Sequence, residues 1–450
     1  MKLFSAVFLF CILSASALAQ QQPPSPPVQQ LEQKLDSALE QLAQLTATIE
    51  SLRSDLARLK KGDAGSSAAP ATSAKGEPFA PSENQASTAN AEAAAYRSRI
   101  LGTSLSTSER DESLTARPEL FFQGRYSAAP ITGSDEAFRP NFRLSRIESR
   151  WSGRVSDRLG VGLEIQYHPA PDGSPEELVN DAFIEYYAND YVTLRAGQFI
   201  KPFGFDIQQS SSLRESPERG IFAGYFFPGQ RDRGLMLFGN LGFLGGEPLK
   251  RTQYFVGVVN GNRFFNDSNR QANYLLRVRH VNERAGVAVG ASVQLGKQLL
   301  PPGVTGNNDE RLYGLDLQYL IGRFGLRAEI VTGNMPSTLL GLDPDFAPAF
   351  RPGAHSTGGA VLVNYRITGS HNVYARYDQF NGDPATGMNV RAVNFGYFRN
   401  IGGLSRLALD YQWKNRPSFN DDAINGRLQM TWSLLLGRDH EFNMPQEGKP

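Results

Sequence analysis

About sixteen short segments between residues 119 and 437 alternate apolar and polar positions, as a β-strand does when one face is apolar and the other polar. In the last segment, Met430, Trp432 and Leu434 alternate with Thr431 and Ser433. A single-chain bacterial outer-membrane barrel has an even number of strands. The predicted strands lie near 119–126, 142–155, 159–168, 179–188, 191–199, 233–240, 253–260, 273–281, 286–296, 312–320, 324–332, 358–367, 372–380, 390–398, 404–413 and 426–437.

The connections between these segments alternate between short turns and long loops, which places all turns at one end of a closed barrel. Ser156–Arg158 and Asn189–Asp190 are typical turns, and Ile200–Asp232 is the longest early loop. One turn, Leu241–Thr252, is longer than this rule prefers. The pattern predicts an all-β fold, a 16-stranded transmembrane antiparallel β-barrel over residues 116–440 with a tail at 441–450. The soluble alternative, a large β-sandwich, does not require this alternation.

The first nineteen residues predict a signal peptide, because Lys2 precedes the apolar stretch Leu3–Leu13 and Ala17-Leu18-Ala19 forms a small-residue cleavage site. The chain's only cysteine, Cys11, lies in this segment. The mature protein is therefore expected to contain no disulfide.

Residues 20–60 predict a Pro/Gln spacer followed by a coiled-coil helix, and residues 61–115, rich in Ala, Ser, Gly and Pro, predict a disordered linker. A coiled coil would join several copies of the chain in the periplasm. The alternative is an amphipathic helix packed on its own barrel. The heptad positions are Leu31, Leu35, Ala38, Leu42, Leu45, Ile49, Leu52, Leu56 and Leu59.

The composition excludes several classes of function. A net charge of +1 gives no argument for binding nucleic acid. The mean hydropathy of −0.36 agrees with a barrel in which every second residue faces lipid. The 5 histidines have no metal-ligand spacing, and no Gly-x-Ser-x-Gly motif accompanies them. We therefore expect no enzyme, metal or cofactor; a barrel enzyme of the outer membrane is the least favoured alternative.

The third long loop, Ile200–Asp232, is predicted to fold into the lumen and form the constriction. It carries the apolar stretch Ile221–Phe227, which a solvated loop would not need. A contact between copies in a trimer is the competing explanation for these aromatic residues. The residues expected to set the charge of the constriction are Arg214, Glu218, Arg219, Arg231 and Arg233.

The polar faces of the strands supply candidate pore-lining residues. A barrel of sixteen strands is wide enough for an aqueous channel. Each inward arginine could either bind a solute or form an ion pair with a carboxylate of the wall. The candidates are Arg146, Glu148, Arg150, Arg154, Arg195, Arg277, Arg279, Arg327 and Arg376.

Two blocks of sequence resemble the phosphate-selective porin O and P family. Residues 195–204 read Arg-Ala-Gly-Gln-Phe-Ile-Lys-Pro-Phe-Gly and continue through 210–219, and residues 257–261 read Gly-Val-Val-Asn-Gly. The resemblance covers roughly 118–436 and implies a trimeric sixteen-stranded porin whose third loop enters the lumen. Lysines are sparse here, so a general or mildly anion-preferring pore is an equal alternative to phosphate selectivity.

These patterns together predict a porin for passive diffusion of small hydrophilic solutes, ions or anions such as phosphate among them. The predicted location is the outer membrane of a Gram-negative-type bacterium, in contact with lipid and assembled as a homotrimer. A structural tether that contacts the cell wall through the coiled coil is the alternative function.

Overall fold

The computed structural model describes residues 117–129, 139–169, 175–227, 229–261, 271–297, 309–334, 353–382, 389–402, 404–416 and 426–437. These residues form sixteen strands, close to the predicted positions. The strands are β1 (Arg117–Ala129), β2 (Arg139–Ser156), β3 (Leu159–Pro169), β4 (Pro175–Asn189), β5 (Val192–Ile200), β6 (Arg231–Asn240), β7 (Thr252–Val259), β8 (Asn273–Asn282), β9 (Val287–Lys297), β10 (Asp309–Ile321), β11 (Phe324–Asn334), β12 (His355–Arg366), β13 (His371–Asn381), β14 (Asn389–Ile401), β15 (Ser405–Lys414) and β16 (Arg427–Leu436).

The strands close into one antiparallel barrel. Each strand pairs with its neighbours in sequence, and β1 pairs with β16, with Leu120 opposite Leu436 and Ala128 opposite Leu428. Closure leaves no unpaired sheet edge, as a spanning β-structure requires in lipid. The predicted strand number and closed antiparallel architecture are confirmed.

The two faces of the wall differ in chemistry, as the alternation predicts. On β15, Leu409, Tyr411 and Trp413 are 47, 43 and 39% exposed, whereas the intervening Asp410 and Gln412 are 2 and 6% exposed. The apolar residues point outward and the polar residues point into the lumen, where they contact one another. This inversion of a soluble protein's pattern is typical of barrels that have lipid outside and polar groups inside.

β4 is longer than the sequence indicates, because its pairing with β3 continues to Pro169 opposite Pro175. A bulge between Glu164 and Ile165 leaves Asn180 without a directly opposed residue. The amide of Asn180 donates to the carboxylate of Glu164 at 2.9 Å on the inner face. The bulge therefore places an additional polar side chain in the lumen, which strict alternation does not predict.

The long turn between β6 and β7 is structured. It contains a 3-10 turn, Leu241–Leu244, and a short helix, Glu247–Lys250, joined by Gly245 and Gly246 at φ +92° and +87°. The ring of Phe243 packs edge-on against Tyr254 with centroids 6.4 Å apart. These local contacts explain why the turn exceeds the usual length.

The predicted signal peptide, coiled coil, linker and C-terminal tail lie outside the described residues. Within the described ranges, no helix is both long and apolar enough to cross a membrane.

Candidate functional site: the third loop and the arginine cavity

The connection between β5 and β6, residues 201–230 and called L3 below, is anchored inside the barrel by an aromatic helix. This helix, α1 (Ile221–Phe226), buries Phe222, Tyr225 and Phe226 to 1% exposure or less. The ring of Tyr225 stacks on Phe380 of β13 with centroids 4.0 Å apart. The apolar cluster around α1 consists of Phe203, Ile207, Phe227, Leu312, Val331, Phe380 and Val390, which brings L3 against the inner face of β10 to β14.

The start of L3 is fixed by one carboxylate of β11. Oε2 of Glu329 accepts the backbone N–H groups of Phe205 and Asp206 at 3.0 and 2.9 Å. The preceding Gly204 has φ +54°, and a Cβ added there would lie 1.7 Å from Oε1 of Glu329. Glycine suits this position, because the backbone conformation is unfavourable for other residues and a side chain would have to displace the carboxylate of Glu329.

The second half of L3 is held by arginines from two other strands, β13 and β15. Arg376 of β13 donates to the carbonyl oxygens of Glu218 and Arg219 at 2.6 and 3.2 Å. Arg406 of β15 donates to the carbonyl oxygen of Arg214 at 2.7 Å. Wall arginines thus satisfy backbone acceptors of residues 214–219, which are neither helix nor strand.

Arg327 of β11 pairs with the carboxylate of Glu215 in L3, and both side chains are buried. It is the third type of polar anchor, a direct ion pair. Together with α1 and Glu329, these contacts fix L3 along most of its length.

Glu218 bridges L3 to the opposite side of the barrel. Its Oε2 accepts from Nη2 of Arg146 on β2 at 2.7 Å, and its Oε1 accepts from Arg125 on β1. Burial disfavours the charged carboxylate, but the charges of Arg125 and Arg146 outweigh that cost and hold the pKa of Glu218 well below its usual range. Glu218 is therefore an ionised group shared by two arginines.

Between L3 and the walls formed by β1 to β4, β6, β15 and β16 lies an open cavity of about 680 Å³. Arginines outnumber carboxylates in its lining by eight to four among the described residues. Its charged lining residues are Arg125, Arg143, Arg146, Glu148, Arg150, Glu164, Asp181, Arg214, Glu218, Arg219, Arg231 and Arg427. The cavity consequently carries an excess of fixed positive charge, although the whole chain is nearly neutral.

Several of these arginines are engaged in wall ion pairs. Arg150 donates to Glu164 through Nε at 2.7 Å and also pairs with Glu119 at 3.2 Å. Arg231 pairs with Glu164 at 2.8 Å and with Asp181 at 3.3 Å. Such pairs position the guanidinium groups, and the paired carboxylates reduce the positive electrostatic potential in the cavity.

Arg214 differs from them. Its side chain is 5% exposed and lines the cavity, Nη2 donates to the hydroxyl of Ser211 at 2.6 Å, and Nε and Nη1 have no hydrogen-bond partner. Burial, reinforced by the nearby cations Arg219 and Arg146, lowers the pKa of Arg214 well below its ordinary value. A buried guanidinium with unsatisfied donors is unfavourable, and an anion or a water molecule that reaches these donors relieves the cost.

The structure separates the residues predicted from sequence into two groups. Of the constriction set, Arg214, Glu218, Arg219 and Arg231 line the cavity. Of the wall set, Arg146, Glu148 and Arg150 line it, whereas Arg154, Arg195, Arg277, Arg279, Arg327 and Arg376 do not.

The wall residues that do not line the cavity are covered or paired. Arg277 is 1% exposed and pairs with Asp316 at 2.6 Å. Arg195 pairs with Glu185, and its guanidinium lies 4.1 Å from the ring centroid of Phe183. These arginines stabilise the wall, which is the structural alternative that the sequence left open.

The placement of Arg233 in the constriction is wrong. Arg233 is the third residue of β6 and shares the face of Leu235 and Leu237, which are 54 and 39% exposed on the outside of the barrel. Its Nε donates to Gln198 at 2.9 Å, and both line a crevice on the outer wall. Because side chains alternate along a strand, Arg233 faces outward together with Leu235 and Leu237, whereas Arg231 at the first position of β6 reaches the cavity.

The sequence interpretation did not select five charged lining residues: Arg125, Arg143, Glu164, Asp181 and Arg427. Alternation signalled some of them, since Arg125 follows Glu119 and Gln123 on the inner face of β1. It could not show that L3 leaves this side of the barrel open, because that depends on where α1 packs.

Comparisons with known proteins relate this chain to others through its fold. No family model matches the sequence, and no curated protein matches it. Across the described ranges, no group of three His, Cys, Asp or Glu side chains could hold a metal ion.

Three of the solved structures with a similar fold illustrate the relationship. The anion-selective porin from Comamonas acidovorans has a TM-score of 0.53 at 9% identity, covering 72% of this chain and 99% of that one. OmpF of Salmonella typhi in complex with daunomycin has a TM-score of 0.53 at 14% identity, and the match covers 71% of this chain and 98% of that one. The outer membrane channel DcaP of Acinetobacter baumannii has a TM-score of 0.50 at 14% identity, and the match covers 71% of this chain and 97% of that one. The described barrel therefore has the closed sixteen-stranded fold of the porins.

Proposed function

We propose that this protein is an outer-membrane porin through which small hydrophilic solutes diffuse passively, with a preference for anions. L3 forms its constriction. The observation that carries the proposal is the cavity beside L3, where eight arginines face four carboxylates and where Arg214 has two unsatisfied donor nitrogens.

The physical reason for anion preference is the placement of charge that cannot be removed. Arginine stays protonated at physiological pH, so the cavity retains its positive excess. A unit charge about 4 Å from an ion contributes about 4 kcal/mol at an effective dielectric constant of 20. Water and the four carboxylates screen part of this, which favours selection without the tight binding that would block a channel.

The arginine cavity does not by itself distinguish phosphate from carboxylate. Guanidinium groups bind both through paired N–H donors. The family resemblance favours phosphate as a solute, and the cavity provides the arginines for it. General anion preference is the coarser proposal, and phosphate preference is its finer form.

The decisive experiment is the reversal potential of purified protein in planar bilayers under a salt gradient. We expect stepwise ohmic conductance with an anion-to-cation permeability ratio above one, and a several-fold decrease of that ratio in Arg214→Gln. The control is Arg311→Gln, which removes the same charge from a side chain that is 60% exposed outside the cavity. Folded protein that never conducts, or a cation-selective pore, would refute the function.

The outer face of the wall supports the membrane location. Large apolar side chains cover it, including Leu315, Trp432 and Phe395 at 62, 57 and 56% exposure. Such a surface needs lipid or another subunit. We propose that lipid covers most of it and that three copies associate, with the predicted coiled coil in the periplasm. A tether to the cell wall through that coiled coil is compatible with transport.

A further inference from the structure

Glu218 occupies the position in the cavity that a small anion would take. One carboxylate oxygen accepts from Arg125 of β1 and the other from Arg146 of β2. A bridging carboxylate between two guanidinium groups is also how these groups hold a free oxyanion. L3 therefore supplies its own ligand to two of the eight arginines.

The carboxylate of Glu218 is the exposed partner in its ion pairs, since the side chain of Arg125 is 1% exposed and that of Arg146 is 16% exposed. The side chain of Glu218 is 31% exposed, whereas that of Glu215, which pairs with Arg327, is 8% exposed. Solvent, and a solute in the cavity, can thus reach the Glu218 carboxylate. Arg214, which has two donor nitrogens without a hydrogen-bond partner, lines the same cavity.

The backbone at Glu218 is held separately from its side chain. Arg376 of β13 fixes the carbonyl oxygens of Glu218 and Arg219, and Gly220 N donates to Asp206 at 3.2 Å. The side chain can consequently leave its two arginines by rotation about its own bonds while L3 keeps its place.

We propose that Glu218 is a tethered competitor for the oxyanion site of the cavity, displaced by each passing phosphate or carboxylate group. This inference rests on the proposed function and names the residue that sets its affinity. A tethered ligand acts as a high local concentration of anion. It weakens solute binding and so keeps the solute moving through the pore.

The test is block of chloride current by added inorganic phosphate and, in a second series, by acetate. Glu218→Gln should lower the half-blocking concentration about tenfold, because an effective concentration in the millimolar range disappears. Glu218→Asp keeps the charge but is one methylene shorter and cannot bridge both arginines. It should also lower the half-blocking concentration, which a purely electrostatic effect would not do.

The matched control is Glu148→Gln. Glu148 lines the same cavity and accepts from Ser211 at 2.9 Å, so the variant removes the same charge without freeing Arg125 and Arg146. Equal block in Glu218→Gln and Glu148→Gln, or unchanged block in Glu218→Asp, would overturn the proposal. A response to phosphate alone or to acetate alone identifies which oxyanion competes, and either supports it. Wild-type protein without anion preference would instead overturn the proposed function.

Discussion

Packing of α1 on the wall is expected to hold L3 inside the lumen, and Phe226→Ala tests this directly. Phe226 is 1% exposed and packs edge-on against Phe380 with centroids 5.5 Å apart. Truncating a buried phenylalanine costs about 3–5 kcal/mol. The barrel wall keeps its strand pairing, so this cost should fall on local opening of L3.

Local opening can be measured with a single thiol. Replacing Cys11 by serine and Ala223 by cysteine leaves one thiol on α1, at a position that is 0% exposed. A loss of about 3 kcal/mol in the stability of the closed loop raises the open population more than a hundredfold, since each 1.4 kcal/mol is a factor of ten. The rate of modification by a membrane-impermeant thiol reagent should increase by that factor in Phe226→Ala.

Phe395→Ala is the matched control for this experiment. Phe395 lies on β14 but is 56% exposed on the outer face, so the same truncation there does not touch L3. A modification rate in Phe226→Ala that stays within about threefold of the control would show that the aromatic cluster does not hold L3 closed.

Two further predictions concern L3 and assembly. Gly204→Ala should increase open-channel current noise, because φ +54° costs about 1–2 kcal/mol for an alanine and the methyl group would collide with Glu329. The control is Gly402→Ala, because Gly402 has φ +59° and open space around it. This variant has the same backbone strain without the collision and should behave as wild type. Deleting residues 20–61 should weaken the trimer in mild detergent without unfolding the barrel, as measured by sedimentation; a monomer both with and without the segment would contradict the role of the coiled coil.

Alternation was sufficient to predict the wall because a barrel of this class has a mostly apolar outer face and a polar inner face. The strand number and the faces of Asp410 and Trp413 therefore follow from sequence alone. The prediction failed where alternation is locally broken. The bulge at Asn180 adds an inward polar group in this way. Arg233 is a different case, because it follows alternation and shares the outward face of Leu235 and Leu237.

The cavity could be predicted only in part, because it depends on contacts between distant segments. Aromatic residues at 221–227 indicated that L3 packs inside, but not against which strands. The partners of Arg376 in L3 are 157 and 158 residues away in sequence. No local pattern distinguishes it from Arg146, which lies on the same inward type of face and lines the open cavity.

The position of L3 decides the role of each inward arginine. Where α1 covers the wall, from β10 to β14, Arg327 and Arg376 do not line the cavity. Their N–H groups donate to L3 or to neighbouring carboxylates. Where L3 leaves the wall uncovered, Arg146 and Arg150 line the cavity, and their partly exposed guanidinium groups can attract anions there. The positive excess is therefore a property of one half of the lumen. Because the two halves are separated by L3 itself, releasing the loop would expose the covered arginines together with their paired carboxylates and dilute that excess. If the protein is the anion-preferring pore proposed above, the anchors of L3 would maintain charge selectivity as well as pore size.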